Sequence, residues 1–419
     1  MSIIQASIPL FFLLIAAELL YARVRGTRLL RLNDSISDLS LGTLSQLTGL
    51  FFKLFTIGLY VWFGEQFAVQ RFVPVPPWSN GPFGWTVAFV LVDLAYYWSH
   101  RLSHEVHVLW AGHIVHHSSE EYNLAVALRQ SSLHGLFTWV FYIPIALLGV
   151  PATMFVACYA VNLVYQFWIH TRAVGRLGRL TEAVMNTPSH HRVHHGVNPK
   201  YQDRNYAGVF IVWDRMFGTF VPEEEEPTYG ITHPLASWNP LWANVHEFVE
   251  IWRLVRRARG WRNKLKAVFG PPSWRPPGAT APAGTAALQL DNFRKFDPVV
   301  PRAVGWYALA QFMAVLLVSV RLLALADALP MAQTAALVFY IALSLTNIGG
   351  LLEGERWAFL LEQARLGSLI VACGTLLVRG TLPRAGVVAA LAWFVISAAW
   401  VWLAARDSTS SLSRSPHGH

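Results

Sequence analysis

Long apolar stretches separated by short polar ones run the length of this chain, and their lengths decide its architecture. Residues 3–21, IIQASIPLFFLLIAAELLY, hold nineteen residues with a single charge. A hydrocarbon core about 30 Å thick takes about 20 such residues in a helix, so the stretch predicts a membrane span. It lacks a basic leader and a small-residue cleavage site, which makes it an anchor rather than a removed signal. Further runs lie near 40–63, 84–99, 134–169, 303–325, 331–350, 358–378 and 386–405. The stretch 134–169 is interrupted by Gly149-Val150-Pro151 and is long enough for a hairpin of two spans. Lipid offers the backbone no hydrogen-bond partner, so such runs must be helical. The predicted fold class is an all-α polytopic membrane protein.

The polar stretches divide the chain. Residues 1–170 are spans around one polar loop, 101–133, and 171–300 form a polar segment ending in PPSWRPPGATAPAGTA (271–286), which reads as a linker. Residues 301–405 make a second group of spans, and 406–419 form a Ser-rich tail expected to be disordered. EEEE at 223–226, between two prolines, reads as a solvated turn. There is no internal repeat and no Gly-rich phosphate loop.

Composition agrees: 54% of residues are hydrophobic and only 14% charged, where a soluble domain is about one quarter charged. The net charge of +9 therefore orients the spans before it suggests a partner. Arg23, Arg25, Arg28 and Arg31 follow the first span, Arg172, Arg176 and Arg179 follow the hairpin, and RLVRRARGWRNKLK occupies 253–266. The positive-inside rule puts all of these on the cytosolic side, with the amino terminus outside and every histidine motif inside. Trp252, Trp261 and Trp274 interleave the basic stretch, which suits anionic headgroups rather than nucleic acid. Cys158 and Cys373 both lie in apolar runs and form no CxxC, so a metal here is held by nitrogen or oxygen.

The candidate chemistry lies in three histidine motifs. His100 and His104 in SHRLSHE are four apart and share one helix face, with Asp93 and Tyr97 on the same stripe. An aspartate in an apolar span has a partner, and orienting an imidazole is the expected role of Asp93. His113, His116 and His117 form HxxHH; His191, His194 and His195 form a second. In each, the first histidine and either of the last two lie one turn apart and can point inward together. Eight imidazoles, with His170 and His190 nearby, exceed the four to six ligands of one transition ion and imply two. Imidazole suits iron, copper, zinc and nickel alike, so the element stays open at this point. His107 and His134 are expected at a surface or interface, His233 and His246 in structural positions, and His417 and His419 in the tail. HExxH is absent, which removes the zinc-protease reading.

YYWSHRLSHEVHVLWAGHIVHHSSEEYNLAVALRQS (96–131), QFWIHT (166–171) and NTPSHHRVHHGVNPKYQDRNYAGVFIVWDRMFGTF (186–220) resemble the fatty acid hydroxylase/sterol desaturase superfamily, its alkylglycerol monooxygenase branch in particular. The resemblance covers about residues 90–240 and implies that residues 1–300 are the catalytic region. It places metal ligands at His100, His104, His113, His116, His117, His191, His194 and His195, with His170 as a further candidate. Glu105 falls on the glutamate kept directly after HxxxH and is expected to orient ligands or balance charge. The implied chemistry is an O2-dependent hydroxylation of a lipid by two iron ions. Electrons come from tetrahydrobiopterin or another external donor, or through a redox partner. Zinc, lacking redox chemistry, would not serve. Other lipids (fatty acid, sterol, carotenoid) are alternative substrates. From another class, a metal transporter would place ligands near the bilayer midplane, whereas these cluster at span ends and in polar loops.

Overall fold

The computed structural model describes residues 3–73, 78, 81–278, 293–380 and 383–412, with side chains through Ala404. Sixteen α-helices account for nearly all regular structure among the described residues: α1 (Ile3–Arg25), α2 (Leu32–Phe67), α3 (Pro82–Glu105), α4 (His107–His117), α5 (His134–Thr138), α6 (Ile143–Leu147), α7 (Ala152–Trp168), α8 (Arg179–Val184), α9 (Pro188–His194), α10 (Val212–Phe217), α11 (Pro240–Arg257), α12 (Trp261–Phe269), α13 (Arg302–Leu325), α14 (Met331–Leu352), α15 (Arg356–Arg379) and α16 (Arg384–Leu412). The only strand-like pairings described are isolated bridges joining Met185 to Phe210 and Gly196 to Tyr229.

Among the described residues, six helices are long and apolar enough to cross a membrane: α1, α2, and α13 to α16. The run at 84–99 does form helix, as the body of α3, but α3 is not in that set. The hairpin expected over 134–169 has its break where Gly149-Val150-Pro151 was read, but its two apolar arms, His134–Leu147 (with α5 and α6) and Ala152–Trp168 (α7), are shorter than those six helices. Pro144 opens α6, and Gly149 takes a left-handed turn at φ 78° two residues before Pro151, so no continuous helix can form there. Residues 406–412, expected in the disordered tail, continue α16, whereas 413–419 and the linker residues 279–286 lie outside the described residues.

The chain divides into two compact units, residues 1–235 with 242–295 and residues 236–241 with 296–419. In the first, α2, α3, α6 and α7 meet through Tyr60, Ala88, Val92, Ile145, Ala146 and Met154. Phe11 of α1 stacks on Phe167 of α7 at 4.2 Å. In the second, α13 to α16 enclose a buried polar knot. Glu362 accepts hydrogen bonds from Tyr307, from Asn347 at 2.7 Å and from Arg365 at 2.6 and 2.8 Å. Arg365 also donates to Tyr340 at 2.9 Å and Gln311 at 3.0 Å, and Gln311 to Ser397 at 2.8 Å. All four helices contribute a polar group to one network, which fixes their mutual register where lipid offers no alternative partner.

Candidate metal centre

Two short helices and the ends of two longer ones carry the histidines. His100 and His104 lie on the last turns of α3, and the extended Val106 then turns the chain into α4, which bears His113, His116 and His117. Pro188 opens α9, where its missing N–H costs nothing, and α9 brings in His191 and His194, with His195 as its C-cap. His170 follows the end of α7. Nine imidazoles converge in two groups: His100, His104, His113, His117 and His194 in one, and His116, His170, His191 and His195 in the other, the ligand atoms of each lying within 4.8 Å of one another.

The division cuts through both HxxHH motifs. His113 and His117, four apart, serve the first group, while His116 serves the second. His191 and His195, four apart, serve the second, while His194 serves the first. Adjacent residues on a helix point about 100° apart, so each HH pair reaches both groups from one rigid helix. The two groups abut, with the rings of His117 and His195 stacked at 4.3 Å.

The outer nitrogens are held by the backbone. Nδ1 of His100 lies 2.7 Å from the Tyr206 carbonyl, that of His116 2.9 Å from Arg129, that of His170 2.8 Å from Gln166 and that of His194 2.9 Å from Arg204. A carbonyl only accepts, so each Nδ1 carries the hydrogen and each neutral ring turns an Nε2 lone pair inward. Burial pushes His116 down to about 4 and holds His113, His117, His191, His194 and His195 well below the usual imidazole range, the neighbouring rings adding to the effect. These rings are therefore neutral at ordinary pH.

The inner nitrogens then face one another without enough hydrogens. Nε2 of His170 lies 3.1 Å from Nε2 of His116, and both are lone pairs by the argument above. Nε2 of His113 lies 3.0 Å from that of His100 and 3.1 Å from that of His117, and Nε2 of His191 3.0 Å from that of His170. Nε2 of His104 and of His195 are buried with no partner. Two nitrogens bound at right angles to one ion, each about 2.1 Å from it, would lie about 3.0 Å apart. The spacing and the surplus of lone pairs both fit a divalent transition ion in each group.

The carboxylates stand elsewhere than expected. Asp93, expected to orient an imidazole, touches none; it accepts from the Val209 and Phe210 amides at 2.8 and 3.0 Å, from the Trp213 indole at 2.8 Å and from Asn162 at 2.6 Å. Asp214 accepts from the Tyr206 and Ala207 amides at 2.8 Å each. Together they brace the loop whose Tyr206 carbonyl holds His100. A Cβ on Gly208 of this loop would stand 2.9 Å from the Asp93 carboxylate, so glycine permits the close approach. Glu105 points away from the imidazoles and pairs with Arg101 at 2.8 Å, its side chain 42% exposed. The carboxylate nearest His104 is that of Asp203, at 3.6 Å.

Other expectations change as well. His107, expected at a surface, is fully buried between Glu247 at 2.8 Å and the Ala267 carbonyl at 3.0 Å. His134 lies against His113, ring centres 5.1 Å apart, outside both groups. His190 also stays outside, 3.5 Å from Glu182. His233 is exposed, and His246 bonds the Ala243 carbonyl at 2.9 Å. Sequence reasoning passed over Arg129. Its guanidinium pairs with Asp38 at 2.9 Å and donates to the Val115 carbonyl at 2.8 Å, while its own carbonyl holds His116. An arginine inside an apolar fold is the signal that marks it. The carbonyls of Arg204, Tyr206 and Gln166 leave no sequence signal. Trp110 and Tyr206 flank the first group, and Tyr122, stacked on Tyr229 at 4.9 Å, covers the second.

These features define a class: a polytopic membrane protein with a double cage of neutral imidazoles suited to two transition ions. A fatty acid hydroxylase family model matches residues 85–219. The chain is 38% identical over 358 residues to alkylglycerol monooxygenase of Xenopus tropicalis (85% of this chain, 78% of the relative). It is 37% identical to that of Homo sapiens (86% and 80%) and 39% identical to that of Danio rerio (86% and 80%). The chain belongs to the fatty acid hydroxylase family and is a membrane lipid monooxygenase. No solved structure matches it.

Proposed function

We propose that this chain is a diiron, O2-dependent monooxygenase. It hydroxylates the ether-linked carbon of an alkylglycerol at the cytosolic face of the membrane, taking electrons from a tetrahydropterin such as tetrahydrobiopterin. The observation that carries the reading is the pair of abutting imidazole groups, His100/His104/His113/His117/His194 and His116/His170/His191/His195. In balance, the ether carbon's C–H, O2, two electrons and two protons yield a C–OH and water. The product is a hemiacetal, which collapses to an aldehyde and glycerol. Two iron ions, when bound, supply the redox chemistry that activates O2.

The chain's own part is to hold and shield. Four Nδ1–carbonyl contacts fix ring orientation before any ion binds, so a loaded centre loses little energy to reorganisation. With no described carboxylate within hydrogen-bond distance of the nine ligand imidazoles, the positive charge of the centre stays largely uncompensated. Trp110, Tyr206 and Tyr122 wall the groups with aromatic rings and keep bulk water from them. A transport reading is disfavoured because none of the nine histidines lies on the six candidate spans. For sidedness, the reading counts α3 as a crossing and takes the broken hairpin over 134–169 to return to the side it left. On that count the basic segments and the histidines share the cytosolic side.

The test is turnover of a glyceryl ether by protein reconstituted anaerobically with iron in phospholipid nanodiscs, with and without tetrahydrobiopterin. Aldehyde release that needs iron, O2 and pterin supports the reading, with zinc-loaded protein as an inert control. A hydroxylated fatty acid or sterol in place of aldehyde would move the substrate to another lipid class.

A further inference from the structure

The basic and aromatic surface of α11 and α12 has no function in the scheme above, and its place in the fold gives it one. Between Arg253 and Lys266 the chain carries seven basic side chains and no acidic one. Trp252, Trp261, Leu265 and Phe269 are each about half exposed or more, at 61, 67, 48 and 61%. The same helices are anchored inward by Ile251, Leu254, Ala258 and Ala267, all buried. Large apolar side chains kept in water cost free energy, and a monomeric surface seldom shows several together. Cations interleaved with tryptophan, beside a buried apolar anchor, make the pattern of a helix lying in a lipid headgroup layer.

We propose that α12 and the C-terminal half of α11 dock on anionic lipid headgroups, and that His107 ties this docked element to the helix bearing the metal ligands. His107 opens α4, six residues before His113. Its Nε2 meets Glu247 of α11 at 2.8 Å, its Nδ1 the Ala267 carbonyl of α12 at 3.0 Å, and its amide donates to the Gly270 carbonyl at 2.9 Å. One residue thus joins both surface helices to α4. Charge complementarity selects the occupant: an acidic-lipid surface satisfies seven cations and four apolar side chains together, which neutral lipid does not. Each basic side chain near such a surface raises partitioning about fivefold.

The experiment uses the full chain with Cys158 and Cys373 replaced by alanine, both buried. Single cysteines replace Trp261 or Leu265, with Glu224→Cys as a solvent-exposed control. Nitroxide labels are read by their accessibility to lipid-soluble oxygen against a water-soluble nickel chelate. The membranes are phosphatidylcholine alone or a mixture with phosphatidylserine. Labels at 261 and 265 should favour oxygen in the mixed membrane, less so in phosphatidylcholine alone, and the control should favour the chelate in both. Replacing Arg256, Arg257, Arg262 and Lys264 together by glutamine should remove the dependence on phosphatidylserine. For the tie, His107→Gln should raise label mobility at 265 at least twofold while lipid exposure persists. Labels open to water in both membranes would overturn the docking. So would labels hidden from both reagents, which would show a protein cover. Unchanged mobility in His107→Gln would overturn the tie.

Discussion

Replacing Asp93 by asparagine tests whether the metal centre depends on a carboxylate that touches none of its ligands. Asp93 accepts four hydrogen bonds, two on each oxygen: Asn162 at 2.6 Å and the Val209 amide at 2.8 Å on one, the Phe210 amide at 3.0 Å and the Trp213 indole at 2.8 Å on the other. Asparagine keeps one oxygen and turns the other into an NH2, which would then face two donors. Two hydrogen bonds to a charged acceptor are lost at about 1.5–3 kcal/mol each, so the cost is about 3–6 kcal/mol. It falls on the loop whose Tyr206 carbonyl holds His100 at 2.7 Å, and so on the first histidine group. The assay is thermal unfolding in nanodiscs together with iron per chain after anaerobic reconstitution. Asp93→Asn should unfold well below the parent and fall from two irons per chain toward one. If Asp93→Asn is too unstable to purify, Trp213→Phe removes a single hydrogen bond and should give a loss of about 1.5–3 kcal/mol in the same direction. A variant with the parent's stability and two irons would refute the reasoning, since Asp93 would then brace nothing.

Three further outcomes follow from the geometry. His116→Ala leaves three ligands in the second group, whereas His117→Ala leaves four in the first, so iron per chain should drop toward one in His116→Ala and less in His117→Ala; equal loss would contradict the division. The buried rings have pKa values below those of the unfolded chain, with His116 at about 4 against 6.5. The unfolded state therefore binds more protons between those values, and metal-free protein should lose stability as pH falls from 6.5 toward 4; thermal unfolding that is flat across this window would contradict the burial. Glu105→Gln removes only a half-exposed ion pair with Arg101. It should cost less than about 1 kcal/mol and leave the iron content intact, so any loss of turnover would report contacts with substrate or electron donor.

The membrane class and the histidine set were legible because each rests on a local pattern. A run of about 20 apolar residues has few outcomes in lipid, and HxxxH and HxxHH fix which rings share a helix face. What was not legible depends on partners far along the chain. Asp93 is 116 residues from the Val209 amide it accepts from, and His107 is 160 from the Ala267 carbonyl. Both stand in sequence surroundings that suit a different role: Asp93 on the stripe of His100, and His107 at an apparent polar surface. The break of the hairpin at Gly149-Val150-Pro151 was legible too, whereas the shortness of its two apolar arms, His134–Leu147 and Ala152–Trp168, was not.

The position of the two HH pairs bears on why nine histidines come from so few elements. A dinuclear centre needs its two ligand groups kept at a fixed separation, and separate helices for each group would let that separation drift with every packing fluctuation. Here α4 gives His113 and His117 to one group and His116 to the other, and α9 with its cap gives His191 and His195 to one and His194 to the other. The separation is then set by covalent geometry inside two single helical pieces, in opposite senses. Each piece is pinned at its outer edge by carbonyls of Arg129 and Arg204. Moving either piece displaces ligands of both groups together, so the centre shifts as one body. This accounts for the support around it: Arg129, Asp38, Asp93 and Asp214 contact no inner nitrogen, yet they hold the helices and loops to which the rings are pinned.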